Sequence, residues 1–227
     1  VIKDWPLSDA PQAWKDFPEA DKAWEIRCME VYAAMIDNMD QGIGRIVKSL
    51  KANGQYENTL ILFFQDNGGC SENRGRRPNK PVEGVVPMGK DALQTEMVPR
   101  RSRDGHPVRT GTGVMPGPSP TYIAYGKNWA NVSNTPFRQY KARVHEGGIA
   151  TPMIAHWPKG IAARNQLHDQ VGHLIDVMAT CVDLSGADYP ETYQGHTIPP
   201  MEGQSLAASF AGNDAVERQL MWEHYLN

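Results

Sequence analysis

The sequence is short of cysteine. Its 227 residues hold three, Cys28, Cys70 and Cys181. They form no CxxC pair and no zinc-ligand spacing, so neither a disulfide framework nor a zinc module is supported. Cys28 and Cys181 fall in apolar helical patterns, which predicts buried thiols. Long hydrophobic runs are missing too: no apolar stretch approaches the roughly 18 residues that span a bilayer. Neither sign of charge is in large excess. The formal net charge is −3, which argues against general nucleic-acid binding, because that needs a basic surface. Val1-Ile2-Lys3-Asp4 lacks an initiator Met and the basic-then-apolar pattern of a signal peptide, so the expectation is a chain processed or trimmed from a longer one. Internal repeats and low-complexity tracts are also absent. What remains is 40% hydrophobic and 22% charged, enough for one α/β domain or two small ones.

Prolines at Pro6, Pro11 and Pro18 make residues 1–18 an irregular arm, with Trp5 and Trp14 expected to pin it to the body. From Glu19 to Asn53 the period is helical: Trp24, Cys28, Val31, Met35, Met39, Ile43, Ile46, Val47 and Leu50 predict one buried face. Gly42 and Gly44 mark either close packing or a break into two helices, and Gly54 a C-terminal stop. Leu60–Phe64 reads as a strand buried on both faces, as in a parallel sheet. Residues 70–120 are a long basic insertion rich in Gly and Pro, without a clear period. A loop of that length is usually functional or disordered. Thr121–Gly126 offers a short strand and Pro152–Pro158 a second buried one. Residues 172–185 read as a helix ended by Gly186.

Chemistry concentrates where Leu60–Phe64 runs into Gln65-Asp66-Asn67-Gly68-Gly69. The carboxyl end of a strand is where α/β proteins bind ligands. Asp66 and Asn67 supply hard oxygens, and glycines allow positive φ and close approach. Two readings stay open: a calcium or magnesium site, or a plain turn in which Asp and Asn bond their own backbone. Calcium takes six to eight oxygens, so other carboxylates would have to converge. A second cluster runs from Pro136 to Pro152, with Arg138, Lys141, Arg143, His145 and Glu146 before Gly147-Gly148. Lys141 there suits a tetrahedral anion as a point charge, against the alternative of a solvated basic loop. Glu146-Gly147-Gly148 is expected to shape the turn rather than react. The basic residues between Arg74 and Arg109 either hold a polyanion or are simply solvated. His173 and Asp176, one turn apart, suit metal binding, but such a pair near a helix start more often caps it.

Together and in this order, the segments resemble the sulfatase family, the arylsulfatases most closely. The matching residues are Glu30–Asp40 with Gly42-Ile43-Gly44-Arg45, then Asn58–Phe63 running into Asp66-Asn67-Gly68-Gly69. Lys141 with Glu146-Gly147-Gly148 and Thr151-Pro152 follows, then His156-Trp157-Pro158, His173–Thr180, Glu202–Leu206 and Trp222-Glu223-His224. The resemblance implies an α/β fold, part of an alkaline-phosphatase-like sandwich with a mixed sheet flanked by helices. It also implies hydrolysis of sulfate esters, a Ca2+ ion held by Asp66, Asn67 and carboxylates from elsewhere, and a sulfate contact from Lys141. Family habit places such proteins in the periplasm or outside the cell.

One departure is plain. The family's nucleophile is a formylglycine made in Cys-x-Pro-x-Arg or Ser-x-Pro-x-Arg, and neither string occurs here. Cys70-Ser71-Glu72-Asn73-Arg74 ends in Arg but has Glu at the proline position. The expectation is that residues 1–227 are the C-terminal portion of a sulfatase catalytic domain, inactive alone and weak in calcium binding, with the missing N-terminal half as its partner. Two alternatives are a phosphonate or phosphate ester hydrolase of the same superfamily, and a non-catalytic module for sulfated polymers.

Overall fold

The computed structural model describes residues 11–213 and 217–224; Trp5 and Pro6 of the expected arm lie outside them. Among the described residues the α-helices and strands run in the order α1 (Glu19–Ala52), β1 (Ile61–Phe64), α2 (Gly126–Ser133), α3 (Glu146–Ile149), β2 (Met153–His156), α4 (Asp176–Ser185), β3 (Thr192–Tyr193), β4 (His196–Thr197) and α5 (Ala207–Phe210). The chain is α/β. Among the described residues the strands form two small antiparallel sheets, β1–β2 and β3–β4. Packing divides the chain into two units. One holds the described residues up to Gly44, Asn67–Thr151, Glu223 and His224; the other holds Arg45–Asp66 and Pro152–Trp222.

In the first unit, α1 buries Trp24, Glu25 and Cys28. The 70–120 segment packs on them through polar contacts rather than regular structure. The Arg76 guanidinium pairs with Glu25, donates to the carbonyls of Ala124 (3.1 Å) and Tyr125 (3.0 Å), and lies 4.6 Å from the Trp24 ring centroid. Trp24 Nε1 donates to Val114 O at 2.9 Å, and Arg27 Nε to Pro116 O at 3.2 Å. Gly126 sits at φ 86°, and a Cβ there would lie 2.9 Å from the Arg76 guanidinium. Further along, Val86 N donates to Gly105 O and Met88 N to Arg103 O. Arg101 donates to the carbonyls of Glu83 and Gly84, and Arg103 to those of Lys90 and Ala92. Trp14 stacks on Phe17 and meets Trp129, each 5.8 Å between centroids, so this part of the arm is pinned as expected. Thr121 makes a single bridge to Arg109 rather than a strand.

In the second unit, β1 pairs with β2 from Ile61↔His156 to Phe64↔Met153. The expected burial of β1 on both faces is not found: all four residues are half-buried, and the pairing is antiparallel. A run of apolar residues carries no strand direction, and one neighbour leaves the other edge open. Helix α4 starts at Asp176 and ends at Gly186, whose φ of 65° is the left-handed stop expected there. The fully buried Asp176 carboxylate accepts from His173 N (2.7 Å), Gln204 N (2.9 Å) and Arg218 Nη1 (2.6 Å). It is a capping and packing hub, and His173 joins it through its backbone.

Two expectations about α1 and the thiols change. Helix α1 is one continuous 34-residue helix through Gly42 and Gly44, but its apolar stripe is not buried throughout. Met35 is 64% exposed and Ile46 62%. The 3.6-residue period reports an apolar face; burial also needs an element to pack on it. Cys28 is buried as expected, whereas Cys181 is exposed, on the outer side of α4.

Candidate active site

Strand β1 delivers the chain through Gln65 and Asp66 to the turn Asn67-Gly68-Gly69. Asp66 is exposed and Asn67 half-buried. Neither side chain makes a hydrogen bond or ion pair among the described residues. The self-bonded turn is therefore not formed, and the three side-chain oxygens accept no hydrogen bond among the described residues. The donors are hard oxygens of the kind calcium takes, so they fit such an ion as a partial ligand set.

The glycines act differently from expectation. Gly68 and Gly69 do not have positive φ; they permit close approach of backbone to backbone. Gly68 N donates to Gly148 O at 3.0 Å, and a Cβ on Gly68 would lie 1.8 Å from Gly147 O. A Cβ on Gly147 would lie 2.2 Å from Arg138 O, and one on Gly148 2.0 Å from Arg143 O. Glu146–Ile149 forms a single helical turn, so Glu146-Gly147-Gly148 shapes the backbone as expected. Gly69 O accepts from Lys141 N at 3.0 Å. The two glycine turns therefore bring together the Asn67 turn and the Lys141 loop, two segments about 70 residues apart that the sequence singled out separately.

Lys141 is exposed, and its Nζ makes no ion pair among the described residues. The backbone is left-handed at Gln139 (φ 69°) and Ala142 (φ 70°), on either side of it. Such non-glycine residues are uncommon and concentrate at functional sites. The Glu72 carboxyl is held below its ordinary range by a hydrogen bond and charge from Arg74, with a smaller contribution from Lys141. An open hollow of about 490 Å³ beside it is lined by Glu72, Asn73, Arg74 and Arg77.

The sequence reading missed Asn131 and Asn134. Asn134 Oδ1 accepts from Gly69 N at 2.9 Å, and its Nδ2 donates to Gln139 O at 2.9 Å. Asn131 Oδ1 accepts from Gln139 N at 3.1 Å. The available signal was the position of Asn134, an amide just past α2 and just before Thr135-Pro136, where a side chain often bonds backbone. As for the basic segment, Arg74, Arg76, Arg101 and Arg103 are engaged internally. The side chains of Arg77, Arg100 and Arg109 make no hydrogen bond or ion pair among the described residues.

The Sulfatase family model matches residues 7–187. The chain belongs to the sulfatase family. Over 211 residues it is 28% identical to an arylsulfatase of Klebsiella aerogenes, covering 92% of this chain and 40% of that protein. An uncharacterized sulfatase of Schizosaccharomyces pombe is 27% identical over 91% of this chain and 34% of its own length. A sulfatase of Formosa agariphila is 24% identical over 84% of this chain and 25% of its own. The chain thus spans at most two fifths of the length of these relatives. The match covers the Asp66–Gly69 turn, the Lys141 loop and all of α4.

Proposed function

We propose that these 227 residues supply part of the anion site of a sulfuric ester hydrolase acting on aryl sulfates. The observation that carries this reading is the backbone junction of the Asn67-Gly68-Gly69 turn with the Lys141 loop, within a chain of the sulfatase family. Asp66 and Asn67 are the calcium ligands contributed here, and their unspent oxygens support that role. A bound divalent ion would supply charge stabilisation for the sulfate oxygens. Lys141 presents its ammonium to the same kind of group, where sulfate transfer spreads negative charge over peripheral oxygens. The nucleophile, a formylglycine, and the remaining carboxylates lie on residues outside this chain. Exposed apolar side chains such as Met35 and Ile46 support a larger folded body. The sulfated-polymer reading is disfavoured, since four of the arginines it would use are spent on internal carbonyls and carboxylates.

The test is aryl sulfate turnover by a sulfatase-length protein that carries this chain after a Cys-x-Pro-x-Arg or Ser-x-Pro-x-Arg segment. Turnover is expected, with a loss of about a hundredfold or more in Lys141→Ala. A preference for phosphate diesters over aryl sulfates would overturn the substrate class. The 227 residues alone are expected to be inactive and to bind calcium weakly by calorimetry. Lys141-dependent turnover by the chain alone would contradict the missing nucleophile, and micromolar calcium affinity would contradict the partial ligand set.

A further inference from the structure

The side chain that joins the two halves of the site is Asn134. One amide group bonds both segments: its oxygen takes the Gly69 N–H and its nitrogen donates to Gln139 O, each at 2.9 Å. Lys141 lies two residues beyond Gln139, and its own N–H returns to Gly69 O at 3.0 Å. The result is a closed ring of three hydrogen bonds: Asn134 to Gln139, along the chain to Lys141, across to Gly69, and back to Asn134. Asn131 fixes the N–H of Gln139 from the preceding helical turn. Gln139 is held at φ 69° inside this ring, a conformation an L-residue adopts only when its surroundings impose it.

We propose that Asn134 is a positioning residue that sets the distance between the Asn67-Gly68-Gly69 turn and Lys141. It touches no substrate in this role and acts through the two backbones it links. Both polar ends of the amide are needed, which selects asparagine: serine has too short a reach, and aspartate offers two acceptors and no donor. The inference concerns geometry and holds whichever ester is cleaved.

Amide hydrogen exchange on the 227-residue chain tests it. In Asn134→Ala the amides of Gly69 and Lys141 are both expected to exchange about tenfold faster or more, as befits loss of a hydrogen bond in a coupled ring. The Lys141 N–H is not bonded to Asn134, so its loss of protection reports coupling rather than a deleted partner. Amides within α4, such as Ala179 and Thr180, are expected to keep their rates. Asn134→Asp separates the two arms: the acceptor for Gly69 remains, whereas an oxygen now opposes Gln139 O, so Lys141 loses protection and Gly69 retains it. Acceleration at Gly69 alone, no acceleration at either site, or equal acceleration throughout would overturn the proposal. In a turnover-competent longer protein, Asn134→Ala is expected to lower kcat with little change in KM. A wild-type protein without turnover would refute the ester-hydrolase reading, and the exchange result would still decide the role of Asn134.

Discussion

Adding one methyl group at Gly68 or at Gly44 should have opposite effects. At Gly68 a Cβ would lie 1.8 Å from Gly147 O and 2.8 Å from Gly147 C, both backbone atoms. Ordinary contact would require the two turns to separate by more than an ångström. The Gly68 N–Gly148 O bond, now 3.0 Å, would then be broken. Overpacking and the lost bond together destabilise by about 2–4 kcal/mol. At Gly44 nothing lies within 4 Å of the added carbon, and the residue is inside α1. Replacing a helical glycine by alanine there stabilises by about 0.5–1 kcal/mol. Urea unfolding of the two variants against the parent measures both changes. Gly147→Ala, with its Cβ 2.2 Å from Arg138 O, is expected to match Gly68→Ala. A loss below about 1 kcal/mol in Gly68→Ala would refute the claim that backbone proximity selects glycine there.

Other outcomes follow from the first unit. Arg76→Met should lower stability by about 3 kcal/mol or more, read by thermal melting, because it leaves the buried Glu25 carboxylate without its partner. Glu25→Gln should cost less, since the neutral amide still accepts from Arg76; equal losses would argue against the ion pair. Burial pushes the Cys28 thiol up from 9.0 to about 11. The native thiol therefore keeps its proton while the unfolded one ionises, so stability falls between about pH 9 and 11, by roughly 2–3 kcal/mol. Tyr125, also raised by burial, works in the same direction. Melting curves across that window should flatten in Cys28→Ala, and an unchanged pH slope would count against the buried thiol.

Much of the fold was legible in the sequence. Helices α1 and α4 show a 3.6-residue period, and Gly54 and Gly186 stop the chain with positive φ. Strands β1 and β2 are short apolar runs ended by polar residues or proline. The direction of their pairing was not legible, because a four-residue run packs either way. The exposed flank of α1 was hidden for a related reason: a pattern shows which side is apolar and says nothing of what covers it. In the candidate site, Asp66, Asn67 and Lys141 stood out by residue type. Asn134 did not, since its function depends on two backbones separated by 65 and 5 residues from it. The internal use of Arg101 and Arg103 was equally hidden, because backbone carbonyl partners leave no mark in a sequence.

The open flank of α1 also has a calorimetric consequence. The heat-capacity change of unfolding follows the apolar area newly hydrated, and a fully compact chain of 227 residues would show roughly 3 kcal/mol/K. Met35, Met39 and Ile46 on α1, with Leu93 and Met97 in the basic segment, already meet water in the native state. Their hydration cancels between the two states. The unfolding heat capacity should therefore fall below that value, and the stability curve should be correspondingly flat, changing less with temperature than that of a closed domain of equal length.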